Sequence, residues 1–384
     1  MDFRFTQEVE MLRTMVKGFA DKEIRPRIEE MEKEERIPQD IIKKMADLGF
    51  FGALIPDEYG GSGMGEVGYC VLIEEIARAY YSASTVIGGH ESLACSAILI
   101  NGTAEQCKKW LPSAASGKII GSFALTEPNA GSDPSGIETT AVKDGSEWII
   151  NGHKIFATNG DIANFVIVFT LTDKDKKSKG GITAFIVEAD REGFKATKMH
   201  GKMGIRASHT AEIVLEEVRV PESNMLGAIG SGYSLAMKVL NSARIGIAAG
   251  CVGIAKEALD LAIKYAMERK QFGQPIIKFQ SISNMLAEMA VDIATMEAIT
   301  YKSAWMCDQK IPYERESAIA KLYASEAVDR VVDKAMQIYG GYGYMADYPI
   351  ERLYRDARIN KIWEGTNEIQ KLVITHDLKE KGKY

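Results

Sequence analysis

The chain has 384 residues, enough for two or three structural units and a large buried core. Its 53 acidic residues outnumber its 47 basic ones, and the net charge of −6 gives no electrostatic reason to expect nucleic acid or an anionic membrane surface as a partner. The five cysteines, Cys70, Cys95, Cys107, Cys251 and Cys307, form no CxxC pair and no His/Cys cluster, so neither a zinc site nor a disulfide framework is indicated. Thiols in a reducing compartment are the simplest account. The stretch MDFRFTQEVEMLRTM carries acids among its apolar residues, unlike a secretory or acid-poor transit leader. No uninterrupted apolar run approaches the roughly 18 residues of a membrane span. A cytoplasmic protein is expected, or a mitochondrial-matrix one if a transit peptide was removed.

Residues 1–120 read as helices. Leu12, Val16, Phe19 and Ala20 recur at helical spacing, as do Ile41, Ile42, Met45 and Leu48, with breaks at glycines 60–63 and at Asn101-Gly102. Over 121–225 the period becomes extended. SEWIINGHKIFATNG places Asn151-Gly152 between two apolar-rich runs, the signature of a tight hairpin with turn residues at positive φ. Residues 165–173, 181–190 and 212–221 supply further strands of an antiparallel sheet, with a solvated charged loop, DKDKKSKGG, between the first two. From Gly232 the pattern is helical again. Leu235, Val239, Ala243, Ile247, Cys251, Ile254, Ala258 and Tyr265 predict one helix over about 233–270, followed by helices near 280–309 and 315–338 and a glycine turn at 340–343. The domains expected are helical (1–120), β (121–225) and a helical bundle (226–384), a mainly α fold with a β domain.

Three segments could carry chemistry. FALTEPNAGSD (123–133) leaves a short apolar strand for a turn of Pro, Asn, Gly and Ser, whose backbone N–H groups and small hydroxyls suit a polar ring edge or a phosphate. ERKQFGQPI (268–276) ends the long helix with Arg269 and Lys270, cations suited to a helix C-terminus. QIYGGYGYMADYPIERLYRDARINKIWEGTNEIQ (337–370) holds an isolated carboxylate, Glu364, between Ile362-Trp363 and Gly365-Thr366. Thr366 or Asn367 can cap the helix that follows, with Glu368 in its first turn. A carboxylate beside an indole and a glycine can be partly desolvated, which raises its pKa toward the range useful to a base.

Taken together, LTEPNAGSD, the NG segment followed by FATNG, KMGIRASHT with EVRVP, ERKQFGQPI with Gln280, QIYGGYGY and WEGTNEIQ resemble the acyl-CoA dehydrogenase family, in order and over essentially the whole chain. The resemblance implies a β domain between two helical domains, noncovalent FAD, a homotetramer built as a dimer of dimers, an acyl-CoA substrate of the kind met in fatty acid β-oxidation, and electrons passed to an electron-transfer flavoprotein. It implies that Phe123, Ala124, Leu125, Thr126 and Ser132 line the flavin, with Thr126 near the ring and Ser132 toward the CoA substrate. Phe156, Ala157 and Thr158 are similar to the residues packing the flavin near its N5 edge. Arg269, Phe272 and Gln280 resemble FAD contacts made across a subunit interface, as do Gln337, Ile338, Tyr339, Gly340 and Gly341 from another chain. Thr366, Asn367 and Glu368 would lie near FAD, Gly365 near the substrate, and Arg244 with Asn241 at the CoA site.

Glu364 is similar to the family's base, which removes the α proton of the thioester while the β hydrogen leaves as hydride for the flavin. Some members carry the base just before the arginine matched by Arg244; here that residue is Ala243, which leaves Glu364, as in the short-, medium- and short-branched-chain types. Phe156 stands where many members have tryptophan, and Asn241 where an acid is common. Glu91 lies in a region that borders the acyl pocket in the family and is often neutral there. It reads either as a solvated helix acid or as a residue facing a polar, cyclic or dicarboxylic acyl group, even as a second base. The same scaffold also serves oxidases, enoyl-CoA reductases and noncatalytic relatives.

Overall fold

A computed structural model describes residues 4–382. The N-terminal part carries α1 (Gln7–Phe19), α2 (Ile28–Glu34), α3 (Gln39–Asp47), α4 (Gly65–Ala79), α5 (Tyr81–Gly88), α6 (Ser96–Asn101) and α7 (Ala104–Ala115). Side chains cap two of these helices at their starts: Thr6 accepts from the N–H of Val9 on α1, and Thr103 with Gln106 forms a reciprocal capping box on α7. The stretch from Tyr81 to Asn101 is long and apolar enough on average to cross a membrane by composition, though His90 and Glu91 interrupt it, and 83% of its most apolar window lies inside the protein.

The middle part is an eight-stranded sheet among the described residues, formed by β1 (Gly121–Ala124), β2 (Thr140–Asp144), β3 (Glu147–Thr158), β4 (Phe165–Leu171), β5 (Ile182–Glu188), β6 (Phe194–Lys198), β7 (Thr210–Pro221) and β8 (Met225–Leu226). The strand order is β6-β7-β3-β2-β4-β5-β8, with β1 also on β4. The sheet is mixed rather than wholly antiparallel, because β4 takes both β1 and β2 as parallel neighbours. Strands β4 and β5 are buried on both faces. Phe165, Ile167 and Phe169 meet Trp110 and Leu111 of α7, while Val166 and Val168 join Trp148, Ile150 and Ile213. Burial on both faces explains why FVIVF reads as a continuous apolar run rather than an alternation.

Asn151-Gly152 is not a hairpin turn. It lies inside β3, which runs unbroken from Glu147 to Thr158. The hairpin is six residues earlier, where Gly145 (φ +62°) and Ser146 join β2 to β3 and Asp144 faces Glu147. Gly152 is glycine for another reason: a Cβ there would overlap the Thr139 side chain. Opposite it β7 bulges, with Glu217 at φ +52° donating its N–H to Asn151 Oδ1 at 2.8 Å.

The C-terminal part is a bundle of α8 (Gly232–Glu268), α9 (Gln280–Asp308), α10 (Glu314–Tyr339), α11 (Ile350–Ala357) and α12 (Asn367–Lys381). Alanines and small residues let the long α8 approach α10 and α4 closely: Ala248, Ala255, Ala258 and Ala262 pack with Ala320, Ala324, Ala327 and Val331. Three glycines set the α8–α4/α5 contact. A Cβ on Gly246 would press on the Tyr69 ring, one on Gly250 on the Tyr81 ring, and one on Gly253 would overlap the carbonyl oxygen of Glu74. Gly253→Leu is therefore expected to destabilise the fold by at least the ~1–3 kcal/mol of overpacking. That exceeds the ~1 kcal/mol regained in helix propensity, and a lowered thermal midpoint would show it.

Candidate active site

Four helices, α5, α8, α10 and α12, converge on the turn that carries Glu364. Glu364 sits between Lys361 and the start of α12, with φ +55°, and Gly365 follows at φ +86°. Two consecutive left-handed residues, the first of them not glycine, hold only where surrounding contacts over-determine the backbone. Those contacts are present. Gln370 Nε2 donates to the carbonyl oxygens of Glu364 (3.2 Å) and Gly365 (2.8 Å), and Lys321 Nζ from α10 donates to Gly365 O at 2.8 Å. On the other side, Asn360 Oδ1 accepts from Tyr81 Oη at 2.5 Å and from Trp363 Nε1 at 3.1 Å, and the two rings meet edge to face. Thr366 is the cap, its hydroxyl accepting the N–H of Ile369 at 3.4 Å; Asn367 is instead the first helical residue, buried, with Oδ1 accepting from Lys321 and Ser325. Glu368 is exposed in the first turn, as expected.

The carboxyl is the unspent part of this turn. Its Oε2 is buried and has no hydrogen-bond partner among the described residues. Burial lifts the group to about 7, against the pull of Arg244 and Lys321. Arg244, itself buried on α8, sends Nε to Glu364 O at 3.4 Å and Nη1 to Asn241 Oδ1 at 2.8 Å. Asn241 thus steadies Arg244, and Ala243 beside it is buried.

The FALTEP tract divides in two. Phe123 and Ala124 have their side chains in the core, Phe123 against Phe169 at 4.7 Å, so only their backbone can face a ligand. Leu125 and Thr126 are half-buried and Ser132 is exposed. A buried ion pair secures the tract: Lys154 Nζ meets Glu127 Oε1 at 2.7 Å and Leu125 O at 3.2 Å, and Glu127 also accepts the N–H groups of Glu138 and Thr139. Beyond Lys154 the strand bulges. Phe156 takes φ +59° and turns outward, 61% exposed, between buried Lys154 and Ala157. Thr158 is half-buried, its carbonyl accepting from Ser122.

A second region gathers the other expected cofactor residues. After α8, Lys270-Gln271 pairs with Gln274-Pro275 around Phe272 (φ +50°) and Gly273 (φ +81°), a hairpin arm that leaves Phe272 92% exposed. Arg269 lines an open cleft of about 510 Å³ with Tyr265 and the segment Ile338 to Gly341. Gln280 and Gln337 are exposed nearby in sequence, at the start of α9 and in the last turn of α10.

Glu91 is not a solvated helix acid. It lies in a π-helical turn, Gly89–Cys95, and is fully buried. Burial raises its carboxyl to about 8 even though Oε2 accepts the Leu54 N–H at 2.6 Å, and Oε1 has no hydrogen-bond partner among the described residues. Sequence reading also passed over Lys321, Tyr81, Asn360, Gln370 and the Lys154–Glu127 pair. Lys321 did leave a signal: it falls on the apolar stripe Ala318, Ala324, Val328 of α10, where a solvated lysine has no place.

The chain matches family models described as the N-terminal domain (residues 6–118), the middle domain (122–218) and the C-terminal domain (230–379) of acyl-CoA dehydrogenase. It is 44% identical to "Acyl-CoA dehydrogenase, short-chain specific" of Clostridium acetobutylicum, covering 98% of this chain and 99% of that one. It is 42% identical to "Caffeyl-CoA reductase-Etf complex subunit CarC" of Acetobacterium woodii, over 98% and 100% of the two chains. The solved structure of butyryl-CoA dehydrogenase from Megasphaera elsdenii superimposes with a TM-score of 0.97 at 40% identity, covering 99% of this chain and 100% of the other. With three domain models in register and the buried carboxylate on its strained turn, the chain belongs to the acyl-CoA dehydrogenase family.

Proposed function

We propose that the protein dehydrogenates the α,β bond of an acyl-CoA, with Glu364 as the base. The carrying observation is the Glu364 carboxyl itself: aimed by a left-handed turn, with no hydrogen bond at Oε2 among the described residues, and raised to about 7 by burial. A base with a pKa near the operating pH combines adequate ionisation with adequate strength. Arg244 and Lys321 keep the carboxylate form accessible despite burial. Glu364 takes the α proton of the thioester, and the developing charge is generated where the protein has excluded water.

FAD, when bound, supplies the hydride acceptor for the β hydrogen. The exposed Phe156, turned out by its bulge, and the half-buried Leu125, Thr126 and Thr158 fit a flat aromatic cofactor. Phe123, Ala124 and Ala157 contribute backbone, and the exposed Ser132 can reach substrate. Thr366, Asn367 and Glu368 shape the cofactor side of the base turn, Gly365 its substrate side, and Asn241 with Arg244 the thioester's CoA side. Arg269, the bare Phe272 and Gln280, together with Gln337, Ile338, Tyr339, Gly340 and Gly341, are read as FAD contacts across subunits of a dimer-of-dimers tetramer. An aromatic left 92% exposed on a two-residue arm calls for a partner surface. A short acyl chain and an electron-transfer flavoprotein acceptor are supported by the relatives' names; a place in fatty acid β-oxidation and a cytoplasmic setting belong to the same proposal.

The reverse reaction, enoyl-CoA reduction, is a second reading favoured by the reductase relative. One experiment separates them: anaerobic mixing of the yellow protein with linear, branched, dicarboxylic and alicyclic acyl-CoAs. Bleaching of the flavin with formation of a 2-enoyl-CoA is expected with a short linear substrate. Bleaching by none of them, with turnover only in the reducing direction, would assign the reductase role.

A further inference from the structure

The base turn contains one feature that hydrogen bonding alone does not require. Lys321 is fully buried on α10 beneath Gly365, where its Nζ donates to Gly365 O at 2.8 Å and to Asn367 Oδ1 at 3.0 Å. Each acceptor already has another donor: Gln370 Nε2 reaches Gly365 O at 2.8 Å, and Ser325 Oγ reaches Asn367 Oδ1 at 3.0 Å. Burying an ammonium is costly, and neutral donors already serve both oxygens, so its distinctive contribution is charge.

We propose that Lys321 is a positioning residue whose positive charge, held beneath the Glu364–Gly365 turn, biases the base toward its ionised form. The inference rests on the reading of Glu364 as the base. Among the described residues, few charged or titratable groups face this pair. Arg244 and Cys251 approach from α8, Tyr81 from α5 and Glu368 from the first turn of α12. Arg244 is a second cation there, with the larger pull on the carboxyl, held in place by Asn241 and the Glu364 carbonyl; Lys321 adds its charge from the opposite element, α10. Burial depresses the lysine itself to about 8, so it remains charged at neutral pH, where the base titrates.

The test compares FAD-loaded wild type with Lys321→Met and Lys321→Gln, following anaerobic flavin reduction by butyryl-CoA across pH. Glutamine retains a donor and removes only the charge, and it also serves if the methionine variant does not fold. In both variants the acid limb of the rate profile is expected to move up by about one pH unit, the size of a single nearby charge in a partly polar interior. The rate near pH 7 then falls several-fold with little change in the butyryl-CoA concentration needed. Thermal stability at pH 7 stays at or above that of wild type, since neither acceptor is orphaned. Acid limbs coinciding with wild type in the folded variants would overturn the role of Lys321. A wild type that bleaches with no acid limb would instead overturn Glu364 as the base.

Discussion

Glu364→Gln is expected to slow flavin reduction by an acyl-CoA about 10²–10⁴-fold, the range for loss of a general base, while the protein stays yellow and still binds CoA thioesters. Glutamine is close in shape, and the turn that presents the side chain depends on main-chain acceptors rather than on the carboxyl. Gln370 and Lys321 bond to carbonyl oxygens, and Arg244 Nε also reaches a carbonyl. Binding and fold should therefore survive the exchange. What disappears is the ionisable carboxylate, whose buried Oε2 has no hydrogen-bond partner among the described residues. The amide also removes the pull of Arg244 and Lys321 on a negative charge, so ligand affinity is expected to change far less than rate. Near-normal bleaching by the variant would show that another group takes the proton, and Ala243 cannot be that group.

Lys154→Met is expected to cost about 3–5 kcal/mol in unfolding free energy, the typical penalty for leaving a buried partner charge uncompensated. Lys154 and Glu127 are both buried and 2.7 Å apart. Burial pushes the Glu127 carboxyl up, but Lys154 and the neighbouring N–H donors outweigh it and hold the group below the usual carboxylate range. Two of those donors, the N–H groups of Glu138 and Thr139, persist in the variant, which places the expected loss toward the lower end. The same lysine ties Leu125 O to β3, next to the bulge at Phe156. Retained FAD per protein is therefore expected to fall together with stability, read by denaturant unfolding and by flavin absorbance after gel filtration. A loss below about 1 kcal/mol, the median of an exposed ion pair, would contradict the buried-pair account.

Much of this arrangement is written in local pattern. Apolar residues at four-residue steps delimit α8 to within about two residues at each end, because a long buried helix repeats one signal many times. Glu364 stands out because an acid between Trp363 and Gly365 has no amphipathic stripe to belong to. Asn151-Gly152 misled because the dipeptide that favours a hairpin also fits a strand interior where a neighbour, here Thr139, leaves no room for a Cβ. The parallel pairing of β1 with β4 joins Gly121 to Phe165 across intervening strands, a choice made by tertiary packing. Glu91 and Lys321 illustrate the same limit: each is a charge in a helical segment, and only the fold shows that Leu54 closes over one and Gly365 over the other.

The central claim is that Glu364 removes the α proton, and the pH dependence of butyryl-CoA-driven flavin reduction tests it most directly. A carboxyl raised to about 7 must lose its proton before it can act, so the single-turnover rate should rise with pH through about 7 and then level off. In Glu364→Gln the residual rate should lose that limb. A wild-type rate flat between about pH 5 and 8, or the same limb persisting in the glutamine variant, would contradict the assignment of the base.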